Sequence, residues 1–327
     1  MTRRRARWIA LAAILAAGPA QAMDCGRAAT EAEKAICASP SARAADDGMA
    51  RAYVALRATL DAGQRAGLLA SQGQWIARRE QTCADAPAER LGICLETESE
   101  HRRAFLAGAA ESGPGAAGRI VPSFRYRKGA KGRADLAFDL LTYPNPANAG
   151  ERAFNAAVAH LFDDIADPEP GEPADEYFFD WRMRLTYASP QFVSAFAEGA
   201  YDTGGAHPNS SSVGINVNMV TNAPATFAEL LDDKGAAAVF ALCADQVART
   251  KQERGGDPPD AEERAKLRKD VADATGDLKS WHFSAYAATV TYDPYAVASY
   301  AEGAFECVIP MATLRALAKP AFPLPHL

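Results

Sequence analysis

Two alternating apolar runs flank a polar turn at Tyr201-Asp202-Thr203-Gly204-Gly205-Ala206-His207-Pro208-Asn209, a pattern that admits little besides an antiparallel hairpin. Upstream, Gln191 to Ala197 alternates in its aromatic and aliphatic positions. Downstream, Val213, Ile215, Val217 and Met219 do the same. Gly204-Gly205 permits positive φ, and Pro208-Asn209 closes the turn. The polar atoms of Asp202, Thr203 and His207 are therefore expected together at one end of a half-buried sheet.

The N-terminus places the chain outside the cytoplasm. Arg3, Arg4, Arg5 and Arg7 precede an apolar run from Trp8 to Ala17, and Ala20-Gln21-Ala22 follows, which fits a secretory signal cleaved before Met23. The run is too short to stay as a membrane span, and no later stretch approaches ~20 apolar residues. Cys25 does not directly follow the small residues of the cleavage site, so the pattern is not that of a lipid anchor. The sequence thus reads as a periplasmic or secreted protein with no membrane span after signal cleavage. Loss of residues 1–22 removes four arginines and moves the formal charge from −6 to −10. Residues 23–111 hold 13 acids against 11 bases, so most of the excess lies beyond them. Such a balance opposes nucleic-acid binding and favours cationic partners.

At 327 residues and 48% hydrophobic content, the chain has enough material for two domains. Thr30-Glu31-Ala32-Glu33 has the form of a capping box, and Ser39-Pro40 of a second helix start. Met49, Tyr53, Leu56 and Leu60 form one helical stripe. Leu69, Ile76 and Cys83 form another, flanked by Gln72, Trp75 and Arg79, and Leu91, Leu95 and Phe105 suggest a last helix. Six cysteines in an exported chain form an even set, as a disulfide framework requires. Antiparallel helices favour pairing Cys37 with Cys83 and Cys25 with Cys94. Cys243 and Cys307 remain for each other.

Asp24-Cys25, the run Thr30 to Cys37, Tyr53, Gln72, Trp75, Arg79, Cys83 and Cys94 together resemble the N-terminal domain of the LprI-type lysozyme-inhibitor family over about residues 24–107. The resemblance implies a small exported helical domain, with lysozyme inhibition shown for some members. The plainer reading of Gln72, Trp75 and Arg79 is that they pack and pin the bundle.

Residues 112–119, rich in glycine and alanine, read as a flexible linker. The expected division is a signal peptide at 1–22, a helical domain at 23–111, the linker at 112–119 and a second domain at 120–327. Strands are expected near 121–127, 136–142, 177–187, 281–283, 288–291 and 305–309, with helices near 153–165, 226–251 and before Gly276. Between Asp163 and Asp180 lie eight acids, no base and three prolines, which predicts an exposed loop carrying Asp175, Glu176 and Asp180. The overall expectation is an N-terminal all-α, disulfide-stapled bundle and a C-terminal α+β domain with an antiparallel sheet and packed helices.

Tyr201 to Asn209, Thr226 to Leu231, Tyr292-Asp293-Pro294-Tyr295 and Tyr300-Ala301-Glu302-Gly303 with Val308-Ile309-Pro310 resemble the C-terminal domain of RsiV-type anti-sigma factors over about residues 120–316. That resemblance implies an extracytoplasmic α+β domain which, in RsiV, binds lysozyme as a sensor. The sigma-binding part and membrane helix of that family have no counterpart here.

Asp202, His207 and Ser210 lie too close in sequence to converge as a triad across a two-stranded turn, and no nucleophile elbow accompanies them. Asp202, His207 and His282 make an equally poor metal set. The reading therefore names no catalytic residue, metal ligand or cofactor. It points to a binding protein for lysozyme or another basic protein, with Asp175, Glu176, Asp180, Tyr201, Asp202, His207, Tyr295 and Tyr300 as candidate contacts. Tyr292, Tyr295 and Tyr300 would supply an aromatic surface. The alternative is an accessory or regulatory module of cell-envelope glycan metabolism with weak hydrolytic activity. Intact-mass analysis of exported protein is expected to show a chain beginning at Met23 with no alkylatable thiol; four or more reactive cysteines would refute the framework.

Overall fold

The computed structural model describes residues 23–129, 132–163, 165, 167 and 177–326. The expected signal peptide, Asp175 and Glu176 lie outside the described residues. The chain begins with four helices: α1 (Glu31–Ala38), α2 (Pro40–Thr59), α3 (Ala62–Ala84) and α4 (Ala88–Ala107). The first two start as their sequences dictate. Thr30 and Glu33 form the reciprocal capping box, and Ser39 caps α2 with Pro40 in its first turn.

The disulfides differ from the expected pairing. Cys25 joins Cys37 and Cys83 joins Cys94, with Cα separations of 5.6 and 5.8 Å. The antiparallel-helix argument holds for α3 and α4, consecutive in the chain, and does not extend to α1 with α3. Each bridge closes a short loop, worth about 2–3 kcal/mol by chain entropy. Ile36, Cys83 and Leu95 make a small core around them.

The buried face of α3 also departs from expectation. Leu68, Ser71, Trp75, Arg79 and Cys83 point inward, while Leu69 and Ile76 are exposed. Burial of polar side chains on this face is offset by pairing, with Nε alone among the buried atoms of Arg79 left without a hydrogen bond. Arg79 donates to Asp46 at 2.8 Å and lies over the Trp75 ring at 4.6 Å, whereas Gln72 accepts from Arg102 at 3.1 Å. The motif residues Gln72, Trp75 and Arg79 therefore pack and pin the bundle.

A six-stranded sheet follows in sequential order: β1 (Val121–Arg127), β2 (Asp135–Thr142), β3 (Phe178–Ala188), β4 (Phe192–Asp202), β5 (Asn209–Asn218) and β6 (Ala223–Pro224). It is antiparallel except between β2 and β3. That parallel pair requires a crossover, which contains α5 (Ala149–His160). A second, antiparallel sheet comprises β7 (Trp281–Phe283), β8 (Ala287–Tyr292) and β9 (Phe305–Pro310). It packs with α6 (Phe227–Leu230), α7 (Asp233–Glu253), α8 (Ala261–Thr275) and α9 (Met311–Leu317). Cys243 on α7 bridges to Cys307 on β9, as expected.

Two larger apolar cores stand beside that small one. One unites Met49, Leu68, Trp75 and Phe105 of the bundle with Phe124, Phe138 and Leu185 of the large sheet. The other gathers Val239, Trp281, Tyr292 and Ile309 around the small sheet. Close approach needs glycine at two contacts. A Cβ on Gly67 would sit 2.7 Å from Phe124 Cβ, and one on Gly214 only 1.7 Å from the Trp281 carbonyl oxygen. Residues 112–119 differ from the flexible linker that their composition suggests. Glu111 and Gly115 donate to the Leu185 and Ala188 carbonyls, and Ser112 Oγ donates to Thr186 O while accepting from Ala285 N.

Bundle and sheet are fastened by a buried polar network. Arg102 Nη1 reaches Asp139 Oδ2 at 3.1 Å and its Nη2 donates to Ser71 Oγ at 2.6 Å. Ser71 in turn donates to Asp139 at 2.7 Å, and Tyr126 OH donates to Oδ1 at 2.9 Å. Arg102 and Asp139 are almost fully buried. Asp139→Ala would strand the guanidinium and is expected to cost about 3–5 kcal/mol. Because one core spans bundle and sheet, urea denaturation followed by helix circular dichroism and by tryptophan fluorescence should shift together; an unshifted helical transition would show the units to be uncoupled.

Candidate functional site

The hairpin of β4 and β5 ends at the Tyr201–Asn209 pair, and its tip rests on the segment between β8 and β9. Asp202 accepts from Gly204 N at 2.9 Å, with Gly204 at φ +76°, so the carboxylate shapes the turn. The His207 ring stacks on Tyr300 at 3.7 Å between centroids, and its Nδ1 lies 3.0 Å from Pro208 O. Tyr300 OH donates to the same carbonyl at 2.7 Å. Tyr295 continues the row, 5.7 Å from Tyr300. It is 65% exposed and holds a non-glycine φ of +75°, a conformation that costs of order 1–3 kcal/mol.

Three aromatic candidates separated by many residues thus form one surface. The others fall elsewhere. Tyr201 lies in β4 and stacks on Phe179 at 6.0 Å. Tyr292 is not part of the exposed row: it is fully buried, bonds Thr275 at 2.6 Å, and burial pushes its phenol up to about 12. Asp180 is not in an exposed loop. It sits in β3, paired with Arg78 at 3.4 Å and Arg182 at 3.5 Å. Burial raises its carboxyl above the usual range, with Arg182 and Arg78 opposing, while Arg78 is itself lowered by burial and by Arg182.

Sequence reasoning missed a cleft of about 980 Å³ between the bundle and the small sheet. Its floor is one face of β3, β4 and β5, where Arg182 pairs in register with Glu198 and Glu198 with Ser212. Arg78, Glu98 and His101 stand on the α3–α4 side, and Thr291, Asp293 and Glu306 on the β8–β9 side. Asp293 fastens the far wall to the floor, accepting from Ser212 N at 2.8 Å and Ser212 Oγ at 2.7 Å. The only sequence signal was the polar alternation Asp180, Arg182, Arg184 along β3, which marks a polar face without showing that it is uncovered.

His282 lies in β7 on the same side of the sheet as the cleft, its ring 4.3 Å from that of Phe196, while His207 is at the hairpin tip; the two are not brought together with Asp202 as a metal set. Among the described residues no group of three or more His, Cys, Asp or Glu side chains is placed to hold a metal ion. Also among them, no helix is long and apolar enough to cross a membrane.

Residues 24–106 match the family described as "Lysozyme inhibitor LprI", and residues 228–312 match "Protein of unknown function (DUF3298)". The helical N-terminal segment is therefore similar to LprI domains and the later segment to DUF3298 domains, the latter coinciding with most of the small-sheet unit. Among solved structures, a DUF3298-family member from Bacteroides fragilis is similar at 12% identity, with 62% of this chain and 94% of that chain covered and a TM-score of 0.44. A DUF3298-family protein from Pseudomonas aeruginosa is similar at 19% identity, covering 62% and 93%, with a TM-score of 0.36. No curated protein matches the sequence significantly.

Burial first, and Arg184 second, push His282 down to about 4 from 6.5. Between those values the unfolded chain binds the proton more strongly. The stabilisation is complete above pH 6.5 and is lost as pH falls through the window toward 4. Denaturation at about pH 7 and about pH 4.5 is expected to show wild type losing about 2 kcal/mol more than His282→Phe. Equal losses would mean that His282 is protonated in the fold.

Proposed function

We propose that this chain is an exported binding protein whose partner is lysozyme or another cationic wall-active protein. The match of residues 24–106 to the lysozyme-inhibitor family carries the reading. Three disulfides and an excess of acids accord with an extracytoplasmic protein that meets a basic partner. The division into a signal at 1–22, a helical part at 23–111, a connecting segment at 112–119 and a second part at 120–327 belongs to this proposal, as does periplasmic or secreted location. So does kinship of the second part to RsiV-type lysozyme-binding domains, for which the DUF3298 match is the coarser support.

The row Tyr295, Tyr300 and His207 supplies the short-range contact, with Asp202 and Tyr201 beside it. Rigid aromatic rings lose little entropy on docking and are favoured at interface centres. Asp175 and Glu176 act at longer range by steering a basic protein, which affects association rate more than dissociation. Asp180 plays no part in that steering, because its carboxylate is engaged by Arg78 and Arg182.

Calorimetric titration of residues 23–327 with lysozyme tests the reading. Binding at micromolar concentration is expected, and His207→Ala with Tyr295→Ala should weaken it tenfold or more. Asp175→Asn with Glu176→Gln should slow association and flatten its salt dependence. Absence of heat excludes lysozyme. Undiminished binding by the aromatic variant would move the contact to the bundle, where Leu69, Ile76 and Ile93 are exposed.

A further inference from the structure

We propose that the cleft between the bundle and the small sheet is a glycan-binding site, taking a neutral, hydroxyl-rich chain of sugar rings across β3, β4 and β5. The inference is independent of the lysozyme reading and uses different residues.

Charge separates this site from one for a polyion. The lining carries five arginines, Arg78, Arg102, Arg182, Arg184 and Arg254, against five acids, Glu98, Asp139, Glu198, Asp293 and Glu306. The signs alternate across the floor, as in the Arg182–Glu198 register pair, so neither a polyanion nor a basic protein finds a field of one sign. What remains is a dense array of oriented donors and acceptors. Arginine and carboxylate groups each engage two neighbouring hydroxyls at once, and sugar hydroxyls both donate and accept.

The floor also disfavours an extended peptide. Peptides added to sheets bind through main-chain bonds at an edge. Here the floor is the middle of the sheet, where β3 pairs with β4 and β4 with β5, so recognition must come from side chains.

Open valences remain. Thr291 Oγ1 is a buried atom with no hydrogen-bond partner, Arg182 Nε has only its 3.5 Å ion pair with Asp180, and both residues line the cleft. Among the described residues Glu98, Glu198 and Glu306 line it without an ion pair or side-chain hydrogen bond. An unmatched buried atom is costly unless water or a ligand completes it, and the solvated glutamates keep their acceptors free for incoming hydroxyls. At about 980 Å³ the cleft lies at the upper end of ligand-pocket sizes, which suits several linked rings rather than one.

The test is isothermal titration of residues 23–327 with two neutral probes, tetra-N-acetylchitotetraose and cellotetraose, and with the peptide Ala-Glu-Lys-Ala. Sub-millimolar binding of at least one tetrasaccharide is expected, tenfold weaker or worse in Glu198→Gln and in Glu306→Gln. Val308→Trp, which fills the cleft from an exposed position, is expected to abolish it with an unchanged melting temperature. Tyr295→Ala should leave it unaltered, which separates this site from the protein contact at the hairpin tip. The proposal is overturned if neither tetrasaccharide binds at millimolar concentration, if binding survives Val308→Trp, or if the peptide binds more tightly than both sugars.

Discussion

The ion pair between Arg102 and Asp139 is the contact on which the layer arrangement depends. Apolar surfaces attract without direction, so the bundle's share of the common core would by itself tolerate sliding over the sheet. A buried guanidinium tolerates none. Arg102 is held below its ordinary value by burial, countered by Asp139, and its other donors are taken by Ser71 and Gln72. Asp139 is completed by Ser71 and Tyr126. Helices α3 and α4 are thereby set at one position on β1 and β2. Gln64 of α3 adds to this by exchanging two hydrogen bonds with the backbone of Phe124, at 2.9 and 3.0 Å, on the free edge of β1.

Once the bundle is fixed over β1 and β2, the cleft follows from how the rest of the same sheet face is covered. The small sheet meets it farther along: Phe283 N donates to Ser194 Oγ at 2.9 Å, and Asn216 donates to the Leu278 and Trp281 carbonyls at 2.8 Å. Polar residues on that part of the face are buried and bonded. Those between the two covers, Arg182, Glu198 and Ser212, face the open gap. One polar alternation thus serves two ends, as internal fastening where it is roofed and as a recognition surface where it is not.

The hairpin tip shows a similar division of labour. Asp293 and Tyr300 belong to the small-sheet segment, yet they bind Ser212 and Pro208 of the hairpin. The tip is held from behind, so the His207–Tyr300 stack is rigid while Tyr295 projects. The Cys243–Cys307 bridge ties α7 to β9 within the unit that supplies Tyr300.

The helical bundle, its capping boxes, the hairpin and the α+β character were legible in the amino-acid sequence because caps, turns and hydrophobic periods are local. So was the lone Cys243–Cys307 pair, by elimination. Tertiary packing decided the rest. It turned the Ser71, Trp75 and Arg79 face of α3 inward in place of Leu69 and Ile76, because Asp46 and Ser99 accept from Arg79 Nη1 across the bundle. It paired the first four cysteines between consecutive elements, and it put Asp180 between two arginines, one of them on α3. It also joined His207 to Tyr300 and opened the cleft. Each of these depends on which residues distant in the chain share a space, and a residue's own neighbours in sequence carry no record of that.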